Sequence, residues 1–410
     1  MIGRVPRSIG EVVDAHLCSG CGTCAYLEPG RLAMVDVPSV GLRPLPIVGV
    51  TGGPVRGAAL QACPGRGLEH RPGDLTGAPL DGEWGPVLEV YECWAVDPEL
   101  RFRGSSGGAV GALAAHALAA GTAVGVLHTR ASAADPLRNE ATLSRTRDDV
   151  LAGAGSRYAP ASPCAALDQV EDAEGPSVVI GKPCDIAGAR SAANLRPQLA
   201  EKVALTIAIF CAGTPSTHAT ADVIRHLGGD PAEVVRVDYR GEGWPGLFRA
   251  RSAYGTSRST TYAQAWGRLS RHRQWRCMIC PDHSGQFADV SVGDPWYRQP
   301  VEGEAGRSLL LVRTERGRAA VQAAFRDGAL EGVPLDPARI SQSQPSLLAA
   351  QRSVWGRVLA LRLVAVRAPS YRGMRTFRAW MRLGVRERVA SIAGTVRRVG
   401  RRRLFRAEAR

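Results

Sequence analysis

Apolar residues in the middle of the chain occur in short runs that alternate with alanine-rich stretches. Six of these runs predict buried strands: TAVGVLHT, SVVIGKPC, VALTIAIFC, EVVRVDYR, ADVSVGD and SLLLVRT. Runs of this length, separated by helical segments, are typical of an α/β domain with a mainly parallel sheet. In such a sheet, ligands usually bind at the carboxyl ends of the strands.

The two ends of the chain differ from this middle part. Residues up to about 80 are turn-rich and punctuated by proline and glycine, as in PSVGLRPLPIVGVTGGP. After about residue 350 the pattern becomes helical and studded with arginine. These changes predict three units, at 1–82, 83–350 and 351–410, of which the first is held by something other than an apolar core. We call residues 351–410 the tail.

The one long uncharged apolar stretch runs from Gly107 to Leu127. Its length suits a membrane span, but it is mostly alanine and glycine, which contribute little to insertion, and His116 lies in its middle. Gly121 divides it into a helix-like half and a β-rich half. We therefore predict a buried helix followed by a strand.

The positive charge of the chain is concentrated at one end. The formal net charge is +14, yet 17 arginines and only two glutamates lie between residues 352 and 410, so the rest of the chain is close to neutral. Lysine occurs only at positions 182 and 202, and the abundance of arginine, alanine and glycine is typical of a GC-rich genome. Because the charge is not spread over a folded face, a zinc-bearing nucleic-acid module is the weakest interpretation.

Ten cysteines is a high number for a chain of 410 residues. The first 16 residues carry charged side chains and lack the apolar core of a secretory signal, so we expect a cytoplasmic protein whose thiols stay reduced. Reduced, clustered thiols indicate metal or redox chemistry rather than disulfides.

The strongest local pattern is the run CSGCGTC. It places Cys18, Cys21 and Cys24 on one tight loop, and Cys63, which is followed by a proline, comes later in the chain. Three thiolates on such a loop together with a remote Cys-Pro resemble the ligand pattern of bacterial [4Fe–4S] ferredoxins. A structural zinc site is the alternative, although zinc ligands usually come in separated pairs. The pattern predicts a ferredoxin-like iron–sulfur domain over residues 1–82.

Four further cysteines stand at predicted strand ends or loops and form a second candidate set: Cys184, Cys211, Cys277 and Cys280. Spacing alone leaves their role open, because buried core cysteines, a redox dithiol or half a zinc site fit it as well as a second cluster does. Cys93 and Cys164 belong to neither set, and we expect both to be structural.

The turn RGSSGG, at residues 103–108, opens onto an alanine-rich stretch. A small-residue turn before a helix exposes backbone N–H groups and the positive end of the helix dipole, which together suit a phosphate. The turn matches neither the dinucleotide fingerprint nor the P-loop, so by itself it indicates a helix N-cap more readily than a cofactor site.

In combination, these motifs resemble a known family. The series CSGCGTC, CP, RGSSGG, GSRY, GKPCDIAGAR, FCAGTPS, YRGEGWPG, CMICPD and ADVSVGDPW, between about residues 16 and 300, is similar to the family of coenzyme F420 hydrogenase/dehydrogenase beta subunits. That family is also similar to 7-hydroxymethyl chlorophyll a reductase and to formate dehydrogenase beta chains. The tail has no part in the resemblance.

The resemblance implies an FAD-binding α/β domain at 83–350 that also carries a second [4Fe–4S] cluster on Cys184, Cys211, Cys277 and Cys280. It further implies a set of residues that contact the flavin nucleotide: Ser105, Ser106, Gly107, Gly108, Ser156, Arg157, Tyr158 and Lys182. A surface salt bridge is the alternative for Lys182. Trp244 could stack on a flavin or deazaflavin ring, but core packing is favoured for it. Asp294 fits a turn as readily as a role in proton transfer.

We therefore expect an FAD- and [4Fe–4S]-dependent oxidoreductase that passes electrons between a reduced carrier, F420H2 or ferredoxin, and an acceptor. The alternative is a non-catalytic relay subunit that docks on a larger hydrogenase or dehydrogenase. The sequence assigns no catalytic residue, and it offers no pattern for hydrolytic chemistry. The tail fits peripheral contact with an anionic membrane, docking on a partner protein, or no specific role.

Overall fold

The computed structural model describes residues 4–71, 80–81, 83–301 and 303–408. The strands are β1 Leu32–Val37, β2 Gly41–Pro46, β3 Gly67–Glu69, β4 Leu80–Asp81, β5 Gly85–Pro86, β6 Glu89–Ala95, β7 Gly125–Ala131, β8 Asn139–Ser144, β9 Ser177–Gly181, β10 Val203–Ile209, β11 Val234–Asp238, β12 Leu247–Ser252, β13 Ser257–Thr261, β14 Val290–Gly293, β15 Ser308–Val312, β16 Leu330–Pro334 and β17 Ser370–Arg372.

Helices occur along the whole described chain. They are α1 Ile9–Asp14, α2 Thr23–Leu27, α3 Gly57–Gln61, α4 Pro98–Arg103, α5 Ala109–Ala119, α6 Arg147–Ala152, α7 Leu167–Glu171, α8 Pro183–Ala193, α9 Pro197–Lys202, α10 Thr217–His226, α11 Tyr262–Leu269, α12 Trp275–Met278, α13 Glu315–Arg326, α14 Ala338–Ser343, α15 Pro345–Arg352, α16 Val354–Leu363, α17 Thr376–Met381 and α18 Val385–Arg401.

The core of the fold is an eight-stranded sheet with the order β16-β6-β15-β14-β10-β9-β7-β8. Its four inner strands β14, β10, β9 and β7 are parallel, whereas the outer pairings on both sides are antiparallel. The expectation of a mainly parallel sheet is therefore wrong, and the sheet is mixed. The alternation of strands and helices predicts the inner strands, but apolar runs do not reveal the direction of strands that return through loops.

Helices cover both faces of this sheet, which confirms the α/β class. On one face, α5 and α13 bury alanines and valines against Val178, Ile207 and Val292. On the other face, α7 and α8 pack against Val179 and Ala208. Neighbouring residues of one strand thus point into opposite cores, as the alternation of side chains along a strand requires. The predicted helix and strand within the stretch from Gly107 to Leu127 are confirmed as α5 and β7.

The predicted strand EVVRVDYR is confirmed as β11, but it lies outside the large sheet. It forms an antiparallel sheet with β12 and β13, and helices α10 and α11 cover this sheet. The core of this small unit includes Val237, Tyr239 and Phe248. The loop that joins β11 and β12 carries Arg240 and Trp244.

The two ends of the chain pack together. Strand β17 of the tail pairs in parallel with β3, and Val358, Leu361, Val399 and Leu404 of the tail share one apolar cluster with α1 and α2. The tail is helical, as predicted, and its helix α18 packs on α16. Among the described residues, no helix combines the length and the apolar content needed to cross a membrane. The division of the chain into three domains stays a prediction.

Candidate functional site

The first cysteine set surrounds one enclosed cavity. Cys18 follows α1, Cys21 and Cys24 flank the start of α2, and Cys63 follows α3, so that three short helices bring four thiols to the same cavity. Gly22 has a left-handed backbone (φ 92°), and a Cβ atom there would lie 2.6 Å from the backbone nitrogen of Ala165. Glycine is therefore required for the loop to wrap this closely.

These thiols are largely shielded from solvent, and three of the four are buried. Burial raises the pKa of Cys18 to about 11 and that of Cys63 to about 12, and it raises the pKa of Cys24 well above the ordinary value. Cys21 is the exception, because a hydrogen bond with Cys164 lowers its pKa to about 6. Buried thiols of high pKa are stabilised as thiolates only when a metal or another cation offsets their charge.

The second cysteine set lies at the carboxyl ends of two neighbouring parallel strands. Cys184 follows β9, Cys211 follows β10, and the loop with Cys277 and Cys280 closes over them from α12. Each thiol is within electrostatic reach of others in the set. Backbone N–H groups donate to two of the sulfurs, from Gly213 to Cys211 and from Thr214 to Cys277, both at 3.3 Å.

Both sets consist of four free thiols, and their chemistry fits iron–sulfur ligation. In the part of the chain that the structure describes, no three histidine, cysteine or acidic side chains converge closely enough to hold a single metal ion. A cluster places its ligand sulfurs further apart than a single ion does, because they bind different corners of a larger body. The donor type of both sets, and the cavity that the first set shares, are compatible with iron–sulfur ligation.

The two sets are neighbours. The thiols of Cys184 and Cys21 influence one another electrostatically, and the carboxylate of Asp185 acts on both. Lys182 donates to Asp185 at 2.6 Å. Burial works against its charge, yet Asp185, Cys184 and Cys211 raise the pKa of Lys182. Lys182 therefore lies beside the second cysteine set as a partly buried cation, and its partner is the buried carboxylate of Asp185.

The glycine-rich turn lies at the same edge of the sheet. The amide of Gly107 donates to Ser308 at 2.9 Å, and its carbonyl accepts from Ala95, which ends β6. Helix α5 begins directly after the turn, and no side chain caps its first N–H groups. An uncapped helix start keeps unsatisfied donors and a positive dipole end, which are suited to a phosphate.

The predicted flavin contacts have different roles in the fold. Ser156 donates its backbone N–H to Ser105 at 2.5 Å, so the structure brings the turns SSGG and GSRY together. The guanidinium of Arg157, by contrast, donates to Asn139 and to backbone carbonyls, including that of Val237 at 2.8 Å. Arg157 is thus engaged in holding the small sheet against β8.

Arg240 is a central residue that the sequence did not single out. It is buried, donates to both carboxylate oxygens of Asp294 at 2.9 and 2.8 Å, and also donates to the carbonyl of Ser105 at 2.5 Å. Trp244 donates to the same carboxylate at 3.1 Å. Asp294 therefore orders the loop that faces the glycine-rich turn.

Aromatic rings enclose this ion pair. Trp296 stacks on Trp244 and on Tyr262, with ring centroids 5.5 and 6.0 Å apart, and the Arg240 guanidinium lies 4.4 Å from the Tyr262 ring. Tyr158 packs beside Tyr262. Arg240 and Trp296 belong to the motifs YRGEGWPG and VGDPW. The sequence pattern that could have identified them is a charged or an aromatic residue that closely follows a predicted strand.

Along one edge of the large sheet, the elements follow a fixed order. The glycine-rich turn lies at β6 and β15, Asp294 follows β14, Cys211 follows β10, and Lys182 and Cys184 follow β9. This is the edge where ligands are expected in a sheet with parallel inner strands.

Comparison with known proteins decides the family. Residues 90–168 match the model of the N-terminal region of the coenzyme F420 hydrogenase/dehydrogenase beta subunit, and residues 177–338 match that of its C terminus. The chain belongs to this family of beta subunits. The matched ranges contain the glycine-rich turn, Arg240, Asp294 and the second cysteine set, whereas the first cysteine set and the tail lie outside them.

Individual relatives agree with this assignment. The coenzyme F420 hydrogenase subunit beta of Methanothermobacter thermautotrophicus is 24% identical over 275 residues, which cover 65% of this chain and 92% of the relative. The corresponding hydrogenase subunit beta of Methanococcus voltae is 24% identical over 245 residues, 59% of this chain and 82% of the relative. One of the subunits of the F(420)H(2) dehydrogenase of Methanosarcina mazei is 24% identical over 320 residues, 76% of this chain and 84% of the relative. The chain is therefore similar to subunits of oxidoreductase complexes.

A solved structure shows the same fold. A chain of the F420-reducing [NiFe] hydrogenase complex from Methanosarcina barkeri superposes with a TM-score of 0.51 and 21% identity, over 67% of this chain and 95% of that chain. The mixed α/β architecture of that chain is thus present in this protein.

Proposed function

We propose that this chain is an FAD- and [4Fe–4S]-dependent oxidoreductase subunit that passes electrons between a reduced carrier, F420H2 or ferredoxin, and an acceptor. The observation that carries the proposal is the order of the sites. The glycine-rich turn and the second cysteine set share one edge of the sheet, and the first cysteine set lies next to the second. When bound, a flavin supplies exchange between a hydride and single electrons, and clusters supply one-electron transfer.

For the clusters, the chain supplies two sets of four thiols. Cys18, Cys21, Cys24 and Cys63 would hold one cluster, and Cys184, Cys211, Cys277 and Cys280 would hold the other. The N–H groups that donate to Cys211 and Cys277 stabilise thiolate charge, and such hydrogen bonds are among the features that set cluster potentials.

For the flavin nucleotide, we propose that the start of α5 binds a phosphate. Gly107 and Gly108 bring the backbone close, and Ser105 and Ser106 offer hydroxyls at the turn. Arg240 and Asp294 keep this turn and the aromatic loop in contact. In this proposal Arg157 does not bind the flavin nucleotide itself, because its guanidinium N–H groups already donate to acceptors within the protein. It supports the site by holding the small sheet in place.

Of the two functional settings, a subunit of a larger complex is favoured. The relatives are named as subunits of a hydrogenase or a dehydrogenase, so we propose that a partner oxidoreductase subunit exchanges electrons with this chain. Turnover by the isolated chain with F420H2 or reduced ferredoxin and an artificial acceptor would instead favour an enzyme that is complete by itself.

For the tail, we propose peripheral contact with an anionic membrane. Helix α18 turns Ser391 and Thr395 inward, while Val385 and Val389 are 67% and 61% exposed. Arginines flank this stripe, and elsewhere in the tail a groove at α16 and α17 is lined by aromatic and basic side chains such as Trp355 and Arg362. An outward apolar stripe with a basic border suits a lipid surface.

Anaerobic purification of the full chain tests the cofactor assignment. We expect visible absorption, FAD release on denaturation, and about eight irons with matching sulfide per chain. Cys24→Ser and Cys277→Ser should each remove one cluster signal from the EPR spectrum of the reduced protein, while Cys93→Ser should remove none, since Cys93 is buried in β6 away from both sets. A colourless, iron-free protein that binds stoichiometric zinc would refute the proposal.

A further inference from the structure

Arg43 of β2 is a buried cation in the interior of the protein. Its side chain is 1% exposed. The guanidinium pairs with the carboxylate of Glu408, with the Nη2–Oε1 distance at 3.2 Å, and donates to Leu42 O at 2.9 Å and to Gln274 Oε1 at 3.2 Å. A guanidinium this deeply buried is costly unless its partners are fixed in place.

Arg43 is close to both cysteine sets, because the next residue, Pro44, lines the cavity of the first set and Gln274, which accepts from the guanidinium, belongs to the segment that leads into Cys277. Burial opposes its charge, yet Cys18 of the first set, Glu408 and Cys277 of the second set together raise its pKa. Gln274, whose side-chain oxygen accepts from the guanidinium, is three residues before Cys277. One cation therefore acts on a ligand thiol of each set.

The tail holds Arg43 in this position. Glu408 is almost fully buried, and it also pairs with His16, with Nδ1 and Oε1 3.2 Å apart. The other ring nitrogen of His16 lies 3.1 Å from the carbonyl oxygen of Arg406. Leu404 anchors the same segment in the apolar cluster around α1. Residues 404–408 thus fix the position of the carboxylate that pairs with Arg43.

We propose that Arg43 raises the reduction potentials of both clusters and that Glu408 positions it and moderates its charge. The inference rests on the two clusters proposed above. Each cluster gains a negative charge on reduction, and two anionic centres in a low-dielectric interior repel one another. A fixed cation near both clusters stabilises both reduced forms and so raises both reduction potentials, which offsets part of the cost of this repulsion. The chain can then hold two electrons at once, which a hydride donor delivers as a pair.

An ion pair that only stabilises the fold would make the same contacts as one that acts on the clusters. The two roles differ in their effect on the cluster potentials. Removing either partner of a buried pair destabilises a protein whatever its role. Only an electrostatic role makes the cluster potentials follow the sign of the charge that is changed. The decisive readout is therefore the midpoint potential rather than stability or turnover.

The experiment is an EPR-monitored redox titration of the full chain, purified anaerobically, with four variants. Arg43→Gln should lower both midpoint potentials, whereas Arg43→Lys should keep them near those of the parent. Glu408→Gln should raise both potentials. Arg386→Gln, at an exposed position of α18, is the charge-matched control and should change neither.

Gln274→Glu is a further variant, which keeps the test decisive if one of the other variants does not fold. It adds an anion at the guanidinium without changing shape, so it should lower the potentials, opposite in sign to Glu408→Gln. Unchanged potentials in Glu408→Gln and Gln274→Glu, with both cluster signals present, would overturn the inference. A parent protein without two cluster signals would instead refute the proposed function.

Discussion

The side chain of Cys164 lies against Cys21, and the Cys164 backbone N–H donates to the Cys21 carbonyl oxygen at 3.0 Å. The single proton of the Cys164 thiol has two acceptors within reach, the Cys21 sulfur and the carbonyl oxygen of Asp185 at 3.1 Å. When Cys21 is a thiolate, its charge makes it the stronger acceptor. Cys164, which the sequence placed in neither set, is thus a neighbour of the first set.

Cys164→Ala should therefore lower the midpoint potential of the first cluster, because a hydrogen bond to a ligand sulfur favours the reduced, more anionic state. The potential is measured by the same redox titration, and the second cluster serves as an internal reference. Cys93→Ala is the control, since Cys93 is equally buried but lies in β6. An unchanged first potential in Cys164→Ala would show that the thiol does not donate to the cluster ligand.

Asp294→Asn should destabilise the protein by about 3–5 kcal/mol, because it leaves the buried guanidinium of Arg240 without its anion. The loop that holds the glycine-rich turn should loosen, so FAD content should fall as well. Denaturant unfolding and flavin release measure the two effects. Asp222→Asn is the matched control, since the Asp222–Arg268 pair, at 3.0 Å, is at the surface and is worth about 1 kcal/mol or less. Similar losses in the two variants would contradict the assignment.

Stability should fall as the pH drops from about 6.5 toward 4, because burial lowers the pKa of His128 in β7 to about 4. Between these values the unfolded chain binds a proton at this histidine and the folded protein does not, so acid favours unfolding. The loss reaches about 3 kcal/mol at pH 4. Denaturant unfolding of the parent and of His128→Gln across this range measures it. The variant should lose this part of the pH dependence, and an identical slope in both proteins would exclude the contribution.

The tail should bind vesicles that contain anionic lipid, and the binding should weaken with added salt, because each arginine near such a surface contributes about 1 kcal/mol. Co-sedimentation with anionic and with neutral vesicles measures the effect. Replacing exposed valines by the double substitution Val385→Asp and Val389→Asp should abolish it without unfolding the helix core. Equal sedimentation with neutral vesicles, or no effect of the substitutions, would contradict the proposal.

Much of the large sheet could be predicted from the sequence, since β7, β9, β10, β14 and β15 are short apolar runs between turn residues. The grouping of each cysteine set followed from spacing for the first and from the family resemblance for the second. Strand direction at the sheet edges could not be predicted, because β15 and β6 carry the same apolar pattern in either orientation.

Contacts between residues far apart in the chain could not be predicted from the sequence either. The ion pair between Arg43 and Glu408 joins residues 365 positions apart, and neither residue belongs to a motif. The tail was interpreted through its arginines, whereas its position is set by the apolar residues between them, such as Leu361 and Val399. The number of arginines gives the charge of the tail, but the burial of its apolar residues determines where the tail packs on the rest of the protein.

The pairing of the two chain ends has a consequence for biosynthesis. The thiols of the first set are translated within the first 63 residues, but Glu408 and β17, which pair with Arg43 and with β3, follow about 300 or more residues later. At about 5–20 residues per second, that delay is roughly 15–70 s. Until the tail has been synthesised, the first set lacks these contacts. We therefore expect the cluster proposed for this site to be held stably only once the tail has packed against the first part of the chain.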